Sequence, residues 1–339
     1  MESEYRYIFK DKSLGKGISG EVRLAYDQIM EKDVAAKHIP KNLVNNPKEM
    51  QLLTNEILIS TDCECDNLAK VYDISDIEGE KYLLFEYCNG GDLASGLKKY
   101  RVKYGNYLKE EIVQHIISQI LNGLQCLHAH QVVHHDIKPA NILLQYNTDK
   151  DKNDLNINNC VFKLSDFGLS KYKNDEEKAD KVYGTFTFLD PICSIYNKVE
   201  FFDEDKTDIW AIGILTYRLL FSNTHPFIAN EIYQKNYTQQ MLNINLSQNI
   251  QKGIYFVKIE GQLSKEVLAF LDSCLKLEQS KRKSSEDLEY SWFLTRNYNN
   301  FNFVNQENFE YVIPYDFQGN MEVKFNIQNN DYIEDFLDL

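Results

Sequence analysis

The stretch Val133-His134-His135-Asp136-Ile137-Lys138-Pro139-Ala140-Asn141, followed downstream by Asp166-Phe167-Gly168, decides the reading of this chain. A carboxylate, a cation and an amide stand within a few residues of one another, and a second carboxylate follows in a turn-forming tripeptide. Each has an ordinary explanation by itself: Asp136 could cap a turn, Asn141 could satisfy backbone groups, and Asp166 could be a loop carboxylate. Together they form the inventory that phosphoryl transfer demands. Such a site needs a carboxylate to orient the attacking hydroxyl, a cation over the transferred group, and hard oxygen ligands for Mg2+.

Toward the N-terminus, Leu14-Gly15-Lys16-Gly17-Ile18-Ser19-Gly20-Glu21-Val22 has the form G-x-G-x-x-G-x-V. Alone this is a weak signal that any glycine-containing turn would give. The next residues separate it from a dinucleotide-binding turn, because Glu21-Val22-Arg23-Leu24-Ala25-Tyr26 alternates like a strand and does not open an amphipathic helix. The glycines therefore read as a hairpin lid. Val34-Ala35-Ala36-Lys37 comes next, and Glu56 lies in Glu49-Met50-Gln51-Leu52-Leu53-Thr54-Asn55-Glu56-Ile57-Leu58, whose apolar spacing suits a helix packed on a sheet.

In this order and spacing the motifs resemble the eukaryotic protein kinase family, serine/threonine type, over about residues 7–295. The resemblance implies a bilobal α+β fold. A small β-rich N-lobe would span about 7–87 and a larger, mainly helical C-lobe about 88–295, leaving 296–339 as an acidic, Asn-rich and aromatic C-terminal extension. It also implies ATP and Mg2+. Asp136 would accept or orient the substrate hydroxyl proton, Lys138 would stabilise charge on the γ-phosphate, and Asn141 with Asp166 would hold the metal. Gly15, Gly17 and Gly20 would cover the phosphates, flanked by Leu14 and Val22; Ala35 and Lys37 would meet the nucleotide from the next strand, with Glu56 holding Lys37. Phe85 would be the gatekeeper, Glu86 to Cys88 the hinge whose backbone meets adenine, Asp92 a ribose or substrate contact, and Leu143 the floor beneath adenine.

The coarse pattern agrees. Tyr82-Leu83-Leu84-Phe85 reads as a buried strand, Asn89-Gly90-Gly91 as a flexible connection, and Glu110 to Leu124 as a core helix. Residues 147–159, rich in Asp, Asn and Lys, read as an exposed hairpin loop. Asp208-Ile209-Trp210-Ala211-Ile212-Gly213 resembles the family's central helix, with Asp208 fastening the catalytic-loop backbone, and His134 is expected to support that loop and contact Phe167. Lys138 and the Thr185 of Gly184-Thr185 resemble the serine/threonine members more than the tyrosine-specific ones. A tyrosine or dual-specificity kinase, and a nucleotide-binding scaffold without useful catalysis, stand as alternatives.

Two positions depart from the family pattern. His135 stands where an arginine usually precedes the catalytic aspartate. Arginine is always charged and clamps phosphate bidentately, whereas histidine is largely neutral near pH 7, so control by activation-loop phosphorylation is expected to be weak. Leu189-Asp190-Pro191-Ile192 occupies the place of Ala-Pro-Glu, leaving the late arginine, Arg282, without its usual glutamate. Losing one partner of a buried pair costs about 3–5 kcal/mol, so a substitute is expected, either Asp190 or the acidic run Glu200, Asp203, Glu204, Asp205.

Composition excludes several other classes. The formal charge of −14 argues against a broad nucleic-acid surface and is compatible with basic protein substrates, whose Ser/Thr acceptors are what the resemblance implies. No apolar stretch is long and uncharged enough to insert in a membrane; Ile209 to Tyr217 ends at Arg218 and reads as a buried helix. Met1-Glu2-Ser3-Glu4 shows neither a secretory signal nor a glycine for myristoylation. Seven scattered cysteines suggest reduced thiols, and neither Cys63 and Cys65 nor His128, His130, His134 and His135 make a zinc pattern. No calcium-binding loop is present. An intracellular chain, cytoplasmic or nuclear, is expected. The aromatic residues Phe301, Phe303, Phe309, Tyr311, Tyr315 and Phe317 suggest that the extension docks on the body or on a partner, with a poorly ordered tail as the alternative.

Overall fold

The computed structural model describes residues 6–17, 20–41, 46–105, 107–173, 184–194, 203–222, 224–227, 262–295 and 304–305. Strands β1 (Tyr7–Gly17), β2 (Gly20–Asp27) and β3 (Lys32–Ile39) are followed by helix α1 (Pro47–Asp62) and strands β4 (Val71–Ile77) and β5 (Glu80–Glu86). The five strands form one antiparallel sheet in the order β1-β2-β3-β5-β4. Direct pairing of Val22 with Lys37 sets Val22, Ala35 and Lys37 on one face, because side chains two apart on a strand share a side. The opposite face carries a small core of Tyr7, Ala25, Val34, Ala36, Ile77 and Leu84. Gly20, at φ +127, closes the β1–β2 hairpin where a Cβ would stand 2.4 Å from the His38 carbonyl oxygen, a place that only glycine fits.

The second lobe begins with β6 (Gly91–Asp92), α2 (Leu93–Tyr104) and α3 (Glu110–Ala129). In α3 the buried Val113, Ile116, Ile117, Ile120, Leu121, Leu124 and Leu127 recur at helical spacing, and Glu110 and Glu111 place negative charge at the positive end of the helix dipole. Strand β7 (Val132–Val133) leads into the loop of Asp136, and β8 (Ile142–Tyr146) leaves it. The connection over 147–159 is largely exposed and joins two antiparallel strands, as expected of a hairpin, but the expectation of a plain loop is corrected. The segment holds helix α4 (Asp149–Asp154) and a 3-10 turn, Ile157–Asn159, before β9 (Cys160–Leu164). The Asp and Asn residues read as loop formers satisfy one another. Thr148 caps α4 through the Asp151 amide, while Asp151 Oδ1 accepts from Asn156 and Asn159, both at 2.9 Å.

Strand β10 (Lys171–Tyr172) pairs with β7. Helix α5 (Asp205–Leu220), buried along nearly all its length as expected of the Trp210 segment, is the hydrophobic axis of this lobe and packs near α3 and α6 (Lys265–Cys274). The short helices α7 (Ser285–Glu289) and α8 (Trp292–Thr295) close the lobe. Beyond them, β12 (Val304–Asn305) pairs antiparallel with β11 (Gln262–Leu263), immediately before the Ser264 cap of α6. The rest of the extension, with all six of the aromatic residues named above, lies outside the described residues. Among the described residues no helix is long and apolar enough to cross a membrane.

Candidate active site

The loop between β7 and β8 hangs from a buried carboxylate. Asp208, on α5, accepts the amides of His134 at 2.8 Å and His135 at 2.9 Å, and His128 Nε2 approaches it at 3.1 Å. Burial alone would raise the Asp208 pKa; the His128 hydrogen bond and the neighbouring imidazoles outweigh that and hold it below the ordinary value. His135 takes a left-handed conformation, φ +66, which turns the chain so that Asp136 faces back over the loop. Gly184, at φ +112, lies so close that a Cβ there would stand 2.4 Å from the His135 carbonyl oxygen. The spacing between the catalytic loop and the Gly184-Thr185 segment thus depends on a missing side chain.

Asp136 is nearly buried and fully engaged. Its Oδ1 accepts the Thr185 amide at 3.0 Å and the Thr185 hydroxyl at 2.7 Å; its Oδ2 accepts Asn141 Nδ2 at 2.8 Å and lies 3.3 Å from Lys138 Nζ. Lys138 Nζ also donates to Thr185 Oγ1 at 2.8 Å. Thr185 therefore bridges the carboxylate and the ammonium, a positioning task beyond the substrate-type signal its sequence position carries. The adjacency of Thr185 to Gly184 was the available sign of it.

The β8–β9 pairing brings the next two residues together. Ile142 pairs with Leu164, and the Ser165 amide donates to the Asn141 carbonyl at 2.9 Å, so Asn141 and Asp166 leave neighbouring strand ends on one side. Asn141 Nδ2 donates to the Asp136 carbonyl at 2.9 Å and to its carboxylate, which leaves the amide oxygen as the acceptor available to a ligand. Asp166 is exposed and held at φ +65 by the following 3-10 turn. An amide oxygen and a carboxylate are the donor set a hard divalent cation takes. Phe167 is buried beneath, its ring 5.6 Å from that of His134, as the resemblance implies. Burial pushes the His134 pKa down.

Across the cleft, Lys37 Nζ donates to both Glu56 oxygens, at 2.9 and 3.0 Å. Burial disfavours the charged lysine, but Glu56 and Asp166 outweigh it and keep its pKa above the ordinary value. Leu14 sits at the register shift between Ser13 and Gly15, and Gly17 pairs with Gly20 at the end of the hairpin; the tip residues 18 and 19 lie outside the described residues. Phe85 lies beneath Lys37, with Nζ 5.9 Å from the ring centre. Cys88 is buried, and burial with Glu86 pushes its thiol up to about 12. Asp92 caps α2, accepting the Ser95 amide and hydroxyl at 2.8 Å, while Leu143 pairs with both Asp92 and Lys163.

The second departure, at Ile192, is answered by a carboxylate. Arg282 Nη2 donates to Asp190 Oδ1 at 2.9 Å and Nη1 donates to Oδ2, with both side chains wholly buried; Gln279 Nε2 adds a 3.0 Å bond to Asp190. The acid has moved from after the proline to before it, and of the expected candidates it is Asp190 that takes the place. The described part of the acidic run works elsewhere: Glu204 lies 3.6 Å from His135 Nε2, and Lys173 pairs with Asp205 and, at 3.7 Å, with Asp203, while Glu200 lies outside the described residues.

A small twisted sheet with one helix, joined by a hinge to a helical lobe, with a lysine–glutamate pair facing an Asp-Lys-Asn loop and an Asp-Phe-Gly turn, defines a bilobal kinase fold. The chain belongs to the protein kinase family, whose domain model, "Protein kinase domain", matches residues 8–293. It is 30% identical over 294 residues to mouse myosin light chain kinase 2, skeletal/cardiac muscle, covering 86% of this chain and 43% of that protein. It is 31% identical over 211 residues to human serine/threonine-protein kinase ULK1, covering 61% of this chain and 19% of that one, and 29% identical over 300 residues to serine/threonine-protein kinase STE20 of Candida glabrata, covering 87% and 28%. The chain thus spans less than half the length of these relatives.

Proposed function

We propose that this chain is a serine/threonine protein kinase that transfers the γ-phosphate of Mg·ATP to Ser or Thr hydroxyls of protein substrates. The observation that carries the reading is the simultaneous assembly of Lys37 with Glu56 and of Asp136 with Lys138, Asn141 and Thr185. Degenerate relatives that only bind nucleotide would be expected to lose one of these groups, and each is present and paired. Lys37, held by Glu56, holds the α- and β-phosphates. Asp136 orients the acceptor hydroxyl and takes up its hydrogen bond, and Lys138 lies beside it to stabilise charge on the transferred group. Asp166 and Asn141 would hold Mg2+, which when bound neutralises charge on the phosphates. Glu86 to Cys88 present backbone to adenine, with Leu143 below. The names of the relatives support the serine/threonine assignment over the tyrosine alternative.

The proposal extends to an intracellular protein, cytoplasmic or nuclear, with all seven cysteines as free thiols in support. It also has the C-terminal extension docking on the C-lobe, which the β11–β12 pairing supports. Asp136→Asn should abolish phosphate transfer from labelled Mg·ATP to a mixed basic protein substrate while leaving nucleotide binding intact, and the wild-type product should carry phosphoserine or phosphothreonine. Equal transfer by wild type and Asp136→Asn would reject this chemistry. Nucleotide binding without transfer by wild type would favour the scaffold reading.

A further inference from the structure

Lys163, on β9, is a buried charge with no part in the transfer described above. It is 5% exposed, and an ammonium removed from water requires partners. Its Nζ donates to the Asp66 carbonyl at 2.6 Å and lies 3.3 Å from Glu86 Oε2. The same carboxylate oxygen accepts the Lys70 amide at 3.4 Å, and the Glu86 amide donates to the Lys70 carbonyl at 2.9 Å. Asp66 belongs to the segment joining α1 to β4, Glu86 opens the hinge, and β9 runs on to Asp166 three residues later. Lys163 also pairs directly with Leu143, so the two side chains leave the small sheet on the same face. One ammonium therefore ties the base of the α1 segment and the start of the hinge to the strand that floors the cleft.

We infer that Lys163 is a positioning residue for the nucleotide: its ion pair with Glu86 fixes the hinge backbone relative to Leu143 and so sets affinity for adenine nucleotides. This rests on reading Glu86 to Cys88 as the adenine-facing hinge. Lys163 touches no reacting atom. Its loss acts on binding and leaves the transfer step of the saturated enzyme intact, which separates it from Lys37 and Lys138.

The test measures ADP affinity by titration calorimetry, with KM for ATP and kcat, for wild type, Lys163→Met, Lys163→Arg, Glu86→Gln and the Lys163→Met/Glu86→Gln double variant. Lys163→Met keeps the stem and removes the charge. It should raise the ADP Kd and the KM for ATP about tenfold, the size expected for loss of a charge-assisted hydrogen bond, with kcat nearly unchanged. Lys163→Arg should recover most of the affinity, and the double variant should bind no worse than the weaker single variant, because no charge is left unpaired. A lower Tm with unchanged ADP affinity would make the lysine merely structural and overturn the inference, as would a fall in kcat at constant KM or additive single effects. Should Lys163→Met not fold, Glu86→Gln decides alone, since its side chain is partly exposed and the hinge backbone is untouched. Wild type that binds ADP while these variants bind equally well refutes the inference only; wild type that binds no adenine nucleotide refutes the hinge reading and the inference with it.

Discussion

Replacing Asp190 with asparagine would strand Arg282 in the interior. The guanidinium lies 4.9 Å over the Trp210 ring, with Nη1 also donating to the Lys206 carbonyl at 2.8 Å and Nε to that of Lys276. These carbonyls satisfy donors but do not balance a charge, whereas the Asp190 carboxylate, bonded to both terminal nitrogens, does. Removing one partner of a buried pair costs about 3–5 kcal/mol; asparagine keeps one acceptor oxygen, so about 3 kcal/mol is the appropriate figure. For a domain of this size that corresponds to a fall in Tm of about 6–12 °C. Differential scanning calorimetry of wild type and Asp190→Asn measures it directly. Asp190→Leu/Arg282→Met, which removes both charges, should recover much of the loss, because the penalty lies in the uncompensated ion. A single variant that melts within about 2 °C of wild type would refute the assignment of Asp190 as the functional substitute for the missing glutamate.

His225 is buried and neutral, donating through Nε2 to the Thr187 carbonyl at 2.9 Å and accepting the Phe227 amide at 3.2 Å. Burial first, then the Arg218 charge, lowers its pKa from 6.5 to about 3. A depressed folded pKa means that the unfolded chain binds the proton and the folded chain does not, so this contribution to stability is complete above about pH 6.5 and declines as pH falls toward about 3, by about 1.4 kcal/mol per pH unit. Urea unfolding of wild type and His225→Asn across the acid range should show a slope shallower by one proton in the variant, and coincident slopes would exclude His225 as the group. Because Glu204 faces His135 and Asp203 and Asp205 hold Lys173, exhaustive phosphatase treatment should leave most of the kinase activity, and a large loss would mean that a phosphate orders this region instead.

Legibility differed between kinds of feature. The strand from Glu21, the helix of Glu56 and the long amphipathic helix from Glu110 were readable because each writes its burial into local periodicity, and the buried helix of Trp210 because its apolar run is continuous. The 147–159 segment departs from its expected loop because Asp and Asn favour turns in general, and nothing local shows that Thr148, Asp151, Asn156 and Asn159 will bond to one another and close a helix. The sequence narrowed the partner of Arg282 to a short set of acids but did not choose among them, since residues 92 positions apart meet only through the packing of α5 beneath both.

By itself, then, the order of residues determined the family, the two-lobed architecture and the chemical character of each group in the cleft, because those depend on residue type and spacing along one chain. Only the tertiary structure decided how the charges are shared. Asp190 rather than Asp203 or Glu204 neutralises Arg282, Thr185 closes Asp136 on Lys138, and Lys163 reaches from the floor of the cleft to the hinge. Electrostatic pairing falls off over a few ångströms and depends on burial, and neither distance nor burial between remote segments exists until the chain has folded.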